Sequence, residues 1–530
     1  MKLNSGAETD VLVIGGGSAA TRAAIEAAHA GAATMLVDKG VVGQSGSSPY
    51  ALVGFSVPLL DQADSVELFV DDWVSAGGGI CDRDLVAKCA ENGRAIAQDL
   101  EARGVEFIRN ADGSWFISKR AGHSARRTLM AKGLGGGKHA NVILPMRDAL
   151  ARAGVEVREN VMITRLLLDG DRVAGAYSVD AKGDAYLIRA KSVVLASGGV
   201  NRLYSILCEE VVEHQARTTG DSYALAFHAG APLVDMEFTQ FRDSPPAGPI
   251  FGAHYLNNRG ERIMEKYDPE NLECAPRYMM ARAVYTENFE GRGPVVWHVE
   301  EGQIARSRAP VGDYQAGQIV PITLMFQRLM GGAHIDATAA TAVGGLYAAG
   351  EASGGVLGGD RMQGCGFLET QTFGTIAGQS AASFAATHEG AAVDPAAVTA
   401  ELERLAAQGG SVPPATLVQQ IQSIMWSGAG VVSSREKLLE AIAMLQAIRS
   451  IAASEIDTAD IFAAEEARNL ALAAELVATA KLAREETRSG HGRIDFPNAD
   501  PDWVRHVQLR RGSDGAIVVD SVPVRTAADG

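Results

Sequence analysis

Cysteine is scarce and scattered. The 530-residue chain has five, Cys81, Cys89, Cys208, Cys274 and Cys365, and no two form a CxxC pair. Iron–sulfur clusters and structural zinc need thiolates at close, repeated spacing, so no metal site is expected. A basic surplus is also missing. Lys and Arg number 48 against 64 Asp and Glu, a net charge of −16, which argues against a nucleic-acid partner because such proteins need a basic face. No apolar run approaches the ~18 residues of a membrane span, so no direct span is expected. The start, "MKLNSGAETD", has neither an apolar stretch nor a twin arginine; with the isolated cysteines it predicts a cytoplasmic protein. What is abundant is glycine, 59 residues, which suits a fold of tight turns and close backbone approaches. The length predicts two to four domains.

The glycines are most informative near the amino terminus. In "TDVLVIGGGSAATRAAIEAAHAGAATMLVDKG" the apolar run Val11–Ile14 leads into Gly15, Gly16 and Gly17, then an alanine-rich helix from about Ser18. A second apolar run, Met35–Val37, ends in Asp38. Strand, glycine turn, helix, strand and acid make up the dinucleotide-binding unit. Gly15 permits the turn, Gly17 admits a pyrophosphate, and the helix amino terminus faces the phosphates with its partial positive charge. Asp38 accepts from a ribose. A glycine turn alone occurs in many α/β proteins; the full unit with its acid is far more specific. Two later strands also end in bare backbone: "KSVVLASGGVNR" at Ser197, Gly198 and Gly199, and "GGLYAAGEASGG" at Gly350 and Glu351. Ligands of open α/β sheets bind at such strand ends. One long FAD, held by distant parts of the chain, accounts for three such places better than NAD does.

These stretches, with "GHSARR", "ARTTGDSYALAFHAGAPLVDMEFTQF", "CAPRYMMARAVYTE", "GGDRMQGCGFLETQTFG" and "ETRSGHGRIDFPNADPDW", occur in an order that resembles the flavoprotein subunits of the succinate dehydrogenase and fumarate reductase family. That family includes L-aspartate oxidase and the α subunit of adenylylsulfate reductase. The resemblance implies an α/β fold: a Rossmann-like FAD-binding domain (1–237 and 330–405), an inserted α+β capping domain (238–329) and a carboxyl-terminal helical domain (410–530). Helical spacing in the last part agrees. Ser433 with Glu436 reads as a capping box before Leu438, Ile442, Leu445 and Ile448, and Gly490 reads as a carboxyl cap after a second stripe at Leu472, Leu476 and Val477. The cofactor-contacting set is placed at Gly15, Gly17, Ser18, Ala19, Asp38, Lys39, Ser45, Gly46, Ser47, Ser197, Gly198, Gly350, Glu351, Gly366 and Phe367. In the family Glu351 would bond the ribityl chain, and the helix opened by Gly364, Cys365 and Gly366 would face the flavin. Many succinate dehydrogenases attach FAD through a histidine that follows a serine. Here Gly46 follows Ser45, so noncovalent FAD is expected.

The same resemblance makes Arg277 the proton-transferring arginine and Arg361 the carboxylate-binding one. Arginine normally stays charged, so this role demands a dry, positive setting. The plain alternatives are a surface arginine in a helix's first turn and an ion pair of Arg361 with Asp360 or Glu351. Three departures follow. Arg242 stands where the family has a histidine, Gln327 fills a second histidine position, and the segment carrying the relay acid is absent, with "GPIFGAHYLNNRGE" running across the gap. A local pair with Asp243 is the plain reading of Arg242. His123 and His254 are further candidates for proton transfer, although a structural histidine is the commoner case. A changed, small anionic substrate is expected, neither succinate, fumarate nor aspartate. Two alternatives are sulfur chemistry at the flavin, as in adenylylsulfate reductase, and an electron-transfer subunit with an inactive pocket. Lacking cluster cysteines, the chain would pass electrons to an iron–sulfur, ferredoxin-like subunit or to oxygen. Homo-oligomer formation stays open.

Overall fold

The computed structural model describes residues 3–50, 54–120, 122–132, 142–204, 217–244, 253–299, 317–406 and 410–526. Strand β1 (Leu3–Ile14) runs through a seven-stranded sheet, parallel to β2 (Thr34–Asp38) on one side and to Ala185–Leu195 on the other. Val11, Leu12 and Val13 have no exposed surface, as expected of a strand covered on both faces. The sequence pattern shows only Val11–Ile14. The structure extends the strand back to Leu3, because its polar front half still finds backbone partners along Ala185–Ile188.

Strand Ala185–Leu195 is shared between two neighbours. Its first half pairs antiparallel with Arg172–Asp180, while Val193–Leu195 pairs parallel with Leu346–Ala348. The carboxyl ends of β1, Ala185–Leu195 and Leu346–Ala348 therefore finish side by side, and each leads into a glycine of positive φ: Gly15, Gly198 and Gly350. Helix α1 (Ser18–His29) packs against the long helix Cys365–Thr387. The crossing is close because the partners are small. A Cβ at Gly378 would stand 2.3 Å from the Ala23 carbonyl oxygen.

Away from this sheet, Thr239–Ser244 and Thr323–Leu329 form an antiparallel ladder. Gln240 opposes Arg328 and Phe241 opposes Phe326, which leaves Gln327 as the extra residue of a bulge. Helix Arg277–Phe289 packs along Thr239–Ser244. Phe241, Phe326, Tyr204 and Trp426 form an aromatic cluster beneath the ladder.

The carboxyl-terminal part contains helices Pro414–Gly428, Arg435–Ser454 and Ile461–Ala483, and Leu438, Leu445, Ile448, Leu472, Leu476 and Val477 are buried as their spacing requires. Two local expectations are corrected. The N-cap is Ser434, whose hydroxyl accepts from the Lys437 amide at 3.3 Å; Ser433 is buried and donates its own amide to the Gly492 carbonyl. Gly490 caps no helix, since the last one ends at Ala483 and Gly490 sits in a later turn. The tail is also not purely helical. Hairpin Arg505–Arg511/Ile517–Pro523 pairs with Leu233–Val234 and so joins a sheet begun much earlier in the chain.

A buried charge cluster ties this hairpin down. His506 donates through Nδ1 to Asp235 at 2.8 Å and through Nε2 to Asp82 at 3.1 Å, and none of the three side chains is exposed. Two N–H donors make the ring an imidazolium. Burial alone would lower its pKa, but Asp235 and Asp82 outweigh burial and lift it to about 10. A raised pKa stabilises the fold fully below the ordinary imidazole value of 6.5, and the contribution is lost as pH rises through about 10. His506→Ala leaves Asp235 without its cation, while Asp82 keeps Arg525 at 3.0 Å, and should cost about 3–5 kcal/mol. Denaturant melts of both proteins should show this gap near neutral pH and its narrowing toward pH 10; a gap that does not change with pH would contradict the charged pair.

Candidate functional site

The three strand ends build one rim. A Cβ at Gly15, where φ is +125°, would lie 2.3 Å from the Ala196 carbonyl oxygen, so only glycine allows β1 to turn there. A Cβ at Gly199 would lie 2.2 Å from Glu351 Oε1, and one at Gly350 would lie 2.9 Å from the Ala19 Cβ. Gly46 and Gly198 behave differently. A Cβ on either would meet only the Thr218 methyl, at 3.8 and 3.7 Å, so bare backbone from two segments faces shared open room. Helix α1 starts at Ser18 with Gly17 as its N-cap, no side-chain cap and no acid in its first turn. Asp38 closes the rim, accepting the Gly40 amide at 2.7 Å, with Oδ2 2.7 Å from the place a Gly16 Cβ would occupy. Burial raises the Asp38 pKa. A helix terminus with a glycine N-cap, glycine backbone with open room beside it and an acid at the end of β2 fit a dinucleotide's phosphates and ribose.

Other members of the expected cofactor set hold this rim in place. Ser18 Oγ accepts from Gln371 at 2.6 Å, and Ser197 Oγ bonds Ser222 Oγ at 2.6 Å. Ser45 and Ser47 flank Gly46, but the hydroxyl that reaches the helix start belongs to Ser48, accepting the Ser18 amide at 3.0 Å; the sequence reading passed over it. Lys39 is an ion-paired tie. Its ammonium lies 2.7 Å from Asp221, 2.9 Å from Glu466 and 2.8 Å from Thr219, joining β2 to helix Ile461–Ala483. Phe367 packs edge-on against Phe55 at 5.9 Å.

The ladder organises the other half of the site. Arg277 is the first residue of its helix, after Pro276, and donates through Nη1 to Gln327 Oε1 at 2.6 Å. On the opposite strand Gln240 donates to Asp360, and its Oε1 lies 3.5 Å from Arg361 Nη2. Two amides on paired strands thus hold the two arginines. A third cation joins them. Arg328 pairs with Glu369 at 3.1 Å, and a Cβ at Gly366 would stand 2.7 Å from Arg361 Nη1 and 3.0 Å from Arg328 Nη1. Both guanidinium groups therefore meet over the first turn of helix Cys365–Thr387. The sequence reading missed Arg328. Its signal was an arginine inside the apolar strand "TLMFQRL", which demands a buried acid, and Glu369 in "GFLETQ" is one.

Burial, followed by Arg277 and Arg328, pushes Arg361 down to about 9. Burial also lowers Arg277, with Asp360 and Asp243 opposing. Burial raises Asp243, Asp360, Glu351 and Glu369. The site thus concentrates guanidinium groups in a poorly solvated place, which suits an anion.

His123 is not among the groups that meet here. Its Nε2 donates to the Gln363 carbonyl at 2.6 Å, and burial pushes its pKa down to about 4, so the neutral ring holds the loop behind Arg361. Arg242 lies in strand Thr239–Ser244 opposite Met325, and its neighbour Asp243 accepts from the buried Tyr255 hydroxyl. His254 lies in strand His254–Leu256, opposite His298. The stretch 245–252, which runs across the gap left by the relay segment, lies outside the described residues.

Comparison with known proteins agrees with this geometry. Residues 10–367 match the FAD binding domain model and residues 418–528 the fumarate reductase flavoprotein C-terminal model. The chain is 32% identical to one subunit of the fumarate reductase (CoM/CoB) of Methanothermobacter marburgensis, over 95% of this chain and 97% of that one. It is 34% identical to L-aspartate oxidase of Caulobacter vibrioides, over 93% and 94%. Among solved structures it is similar to a variant of E. coli quinol fumarate reductase FrdA, with TM-score 0.85 and 25% identity over 99% and 98% of the two chains. It also shares the fold of adenylylsulfate reductase from Archaeoglobus fulgidus, with TM-score 0.83 and 20% identity over 99% and 97%. FAD is therefore the cofactor. No helix among the described residues is long and apolar enough to cross a membrane.

Gly199→Ala would drive a methyl into Glu351 and should yield folded protein depleted of FAD; full occupancy by absorbance would contradict the assigned rim. Acid precipitation of the parent should leave all flavin in the supernatant, and flavin in the pellet would show a covalent link.

Proposed function

The chain belongs to the succinate dehydrogenase and fumarate reductase flavoprotein family, and from that premise we propose that it reduces or oxidises a small anionic substrate other than succinate, fumarate or aspartate. Bound FAD supplies a two-electron centre that exchanges hydride with a substrate carbon. The remaining proton is the task of Arg277. It stands at the start of a helix and is desolvated; both ease proton release from a guanidinium, against the pull of Asp360 and Asp243. Arg361 anchors the acid group of the substrate. Its planar fork suits a carboxylate, sulfonate or phosphonate, and the amino terminus of helix Cys365–Thr387 adds to the same attraction.

One observation carries the altered-substrate reading. Gln327, at a position where the family has histidine, is hydrogen-bonded to Arg277 itself. A neutral amide cannot replace an imidazole that binds an acidic group as a cation. The anion must then be held by Arg361 with Arg242 or Arg328. Three guanidinium groups favour a multiply charged head such as a sulfonate, phosphonate or polycarboxylate. The Methanothermobacter relative is by name one subunit of a larger enzyme, which supports an electron-transferring partner for this chain too. The scattered cysteines favour an iron–sulfur protein in that role.

The test is anaerobic reduction of the purified flavoprotein, then reoxidation by a panel of carboxylates, sulfonates and nucleotide phosphosulfates. A sulfonate, phosphonate or polycarboxylate should reoxidise it faster than fumarate does. Arg277→Lys should lower that rate by about 10²–10⁴, and Arg242→His should raise the fumarate rate relative to the preferred anion. Full turnover by Arg277→Ala would overturn the assignment of the proton-transfer residue.

A further inference from the structure

Helix Arg277–Phe289 carries a second arginine, Arg282, five residues after Arg277. Its Nη2 donates to the Ser489 carbonyl at 2.7 Å and reaches the His491 carbonyl at 3.4 Å. Both acceptors belong to a tight turn, closed by hydrogen bonds in both directions between Arg488 and His491, with Ser489 at φ +45°. The contact is therefore to backbone whose shape is already fixed.

That turn touches the loop of Arg361, the strand of Gln240 and the helix of Arg277. The Gly490 amide donates to Gly359, the residue before Asp360 and Arg361, at 3.0 Å. A Cβ at Gly490 would stand 3.0 Å from the Thr239 carbonyl oxygen, beside Gln240, and 3.1 Å from that of Gly359. Arg488 donates to the Gly78 carbonyl at 2.8 Å, and Gly492 accepts from Ser433 at 2.9 Å. On one side, then, the turn is wedged against the loop of Arg361 and the strand of Gln240. On the other, it meets the helix of Arg277 through Arg282, which also lies over the Tyr278 ring at 5.6 Å. Only a small cavity of about 10 Å³ lies beside this contact, lined by Tyr278, Ala281, Arg282, Val431 and Gly490 among others. The Arg282 hydrogen bonds add to this packing a directional constraint that apolar contacts do not supply.

We propose that Arg282 is a positioning residue: its donation to the Ser489–His491 turn fixes the helix that bears Arg277 at a set distance from Arg361, with a turn of the carboxyl-terminal part as the common reference. The catalytic meaning of that distance rests on the proposed role of Arg277, whereas the latch itself does not. Displacing a catalytic group by about 1 Å can cost about 10²-fold in rate.

Hydrogen exchange on the FAD-loaded protein, read over peptides spanning 277–289, tests the latch without any substrate. Arg282→Ala should exchange faster there than the parent, with unchanged flavin content and visible spectrum. Arg282→Lys, which keeps one cationic donor, should fall between the two and serves if the alanine variant does not accumulate. With the anion that reoxidises the reduced parent fastest, Arg282→Ala should lose about 10²-fold in kcat with a smaller change in KM, and the lysine variant should recover part of it. Parent-like exchange over 277–289 in both variants would overturn the latch. Faster exchange with unaltered kcat would leave the contact but overturn its catalytic purpose, and full turnover by Arg277→Ala would locate the fault in the proposed function instead.

Discussion

The ladder between Thr239–Ser244 and Thr323–Leu329, with its single extra residue, sets where the site's cations stand. Successive side chains on a strand point to opposite faces, and a one-residue insertion re-aims them. At the bulge Gln327 turns toward Arg277, while the next residue, Arg328, turns toward Glu369 on the helix beneath. Opposite them Gln240 holds both Asp360 and Arg361. A regular ladder would send Gln327 elsewhere and free Arg277 from its partner. Neutral amides suit this work because they accept from guanidinium groups without neutralising them.

The cations are only partly balanced. Arg328 is matched by Glu369, whereas Arg277 and Arg361 rely on hydrogen bonds to amides and on carboxyls whose own ionisation burial disfavours. Such an arrangement leaves repulsion among the guanidinium groups that a bound anion would relieve. The same glycines that let the backbone approach a cofactor also bring these groups close. Gly366 admits Arg361 and Arg328 over one helix turn, where any side chain would collide with both.

Local chemistry was legible in the sequence. The glycine turn of β1, the acid ending β2, the helix after Gly364 and Arg277 at its helix start all follow from short patterns, and all lie where those patterns place them. What escaped depends on partners far along the chain. Lys39, placed in the cofactor-contacting set by its position after Asp38, is also tied to Asp221 and Glu466, partners that no local pattern reveals. His123 looks like an acid–base group until its N–H is seen bound to the Gln363 carbonyl. Adjacent serines, 433 and 434, offer the same cap chemistry, and only the path of the backbone chooses between them. The terminal hairpin went unread because strand Arg505–Arg511 is mostly polar and strand Ile517–Pro523 buries no residue fully, so neither shows a clear alternation.

That hairpin has a consequence for how the protein comes into being. Its strand Arg505–Arg511 pairs with Leu233–Val234, and His506 reaches back to Asp82 and Asp235. The sheet begun at Leu233–Val234 is thus extended only by a strand made much later in synthesis. Asp235 waits for a counter-charge 271 residues further along the chain, so this part of the fold closes late as the chain is made.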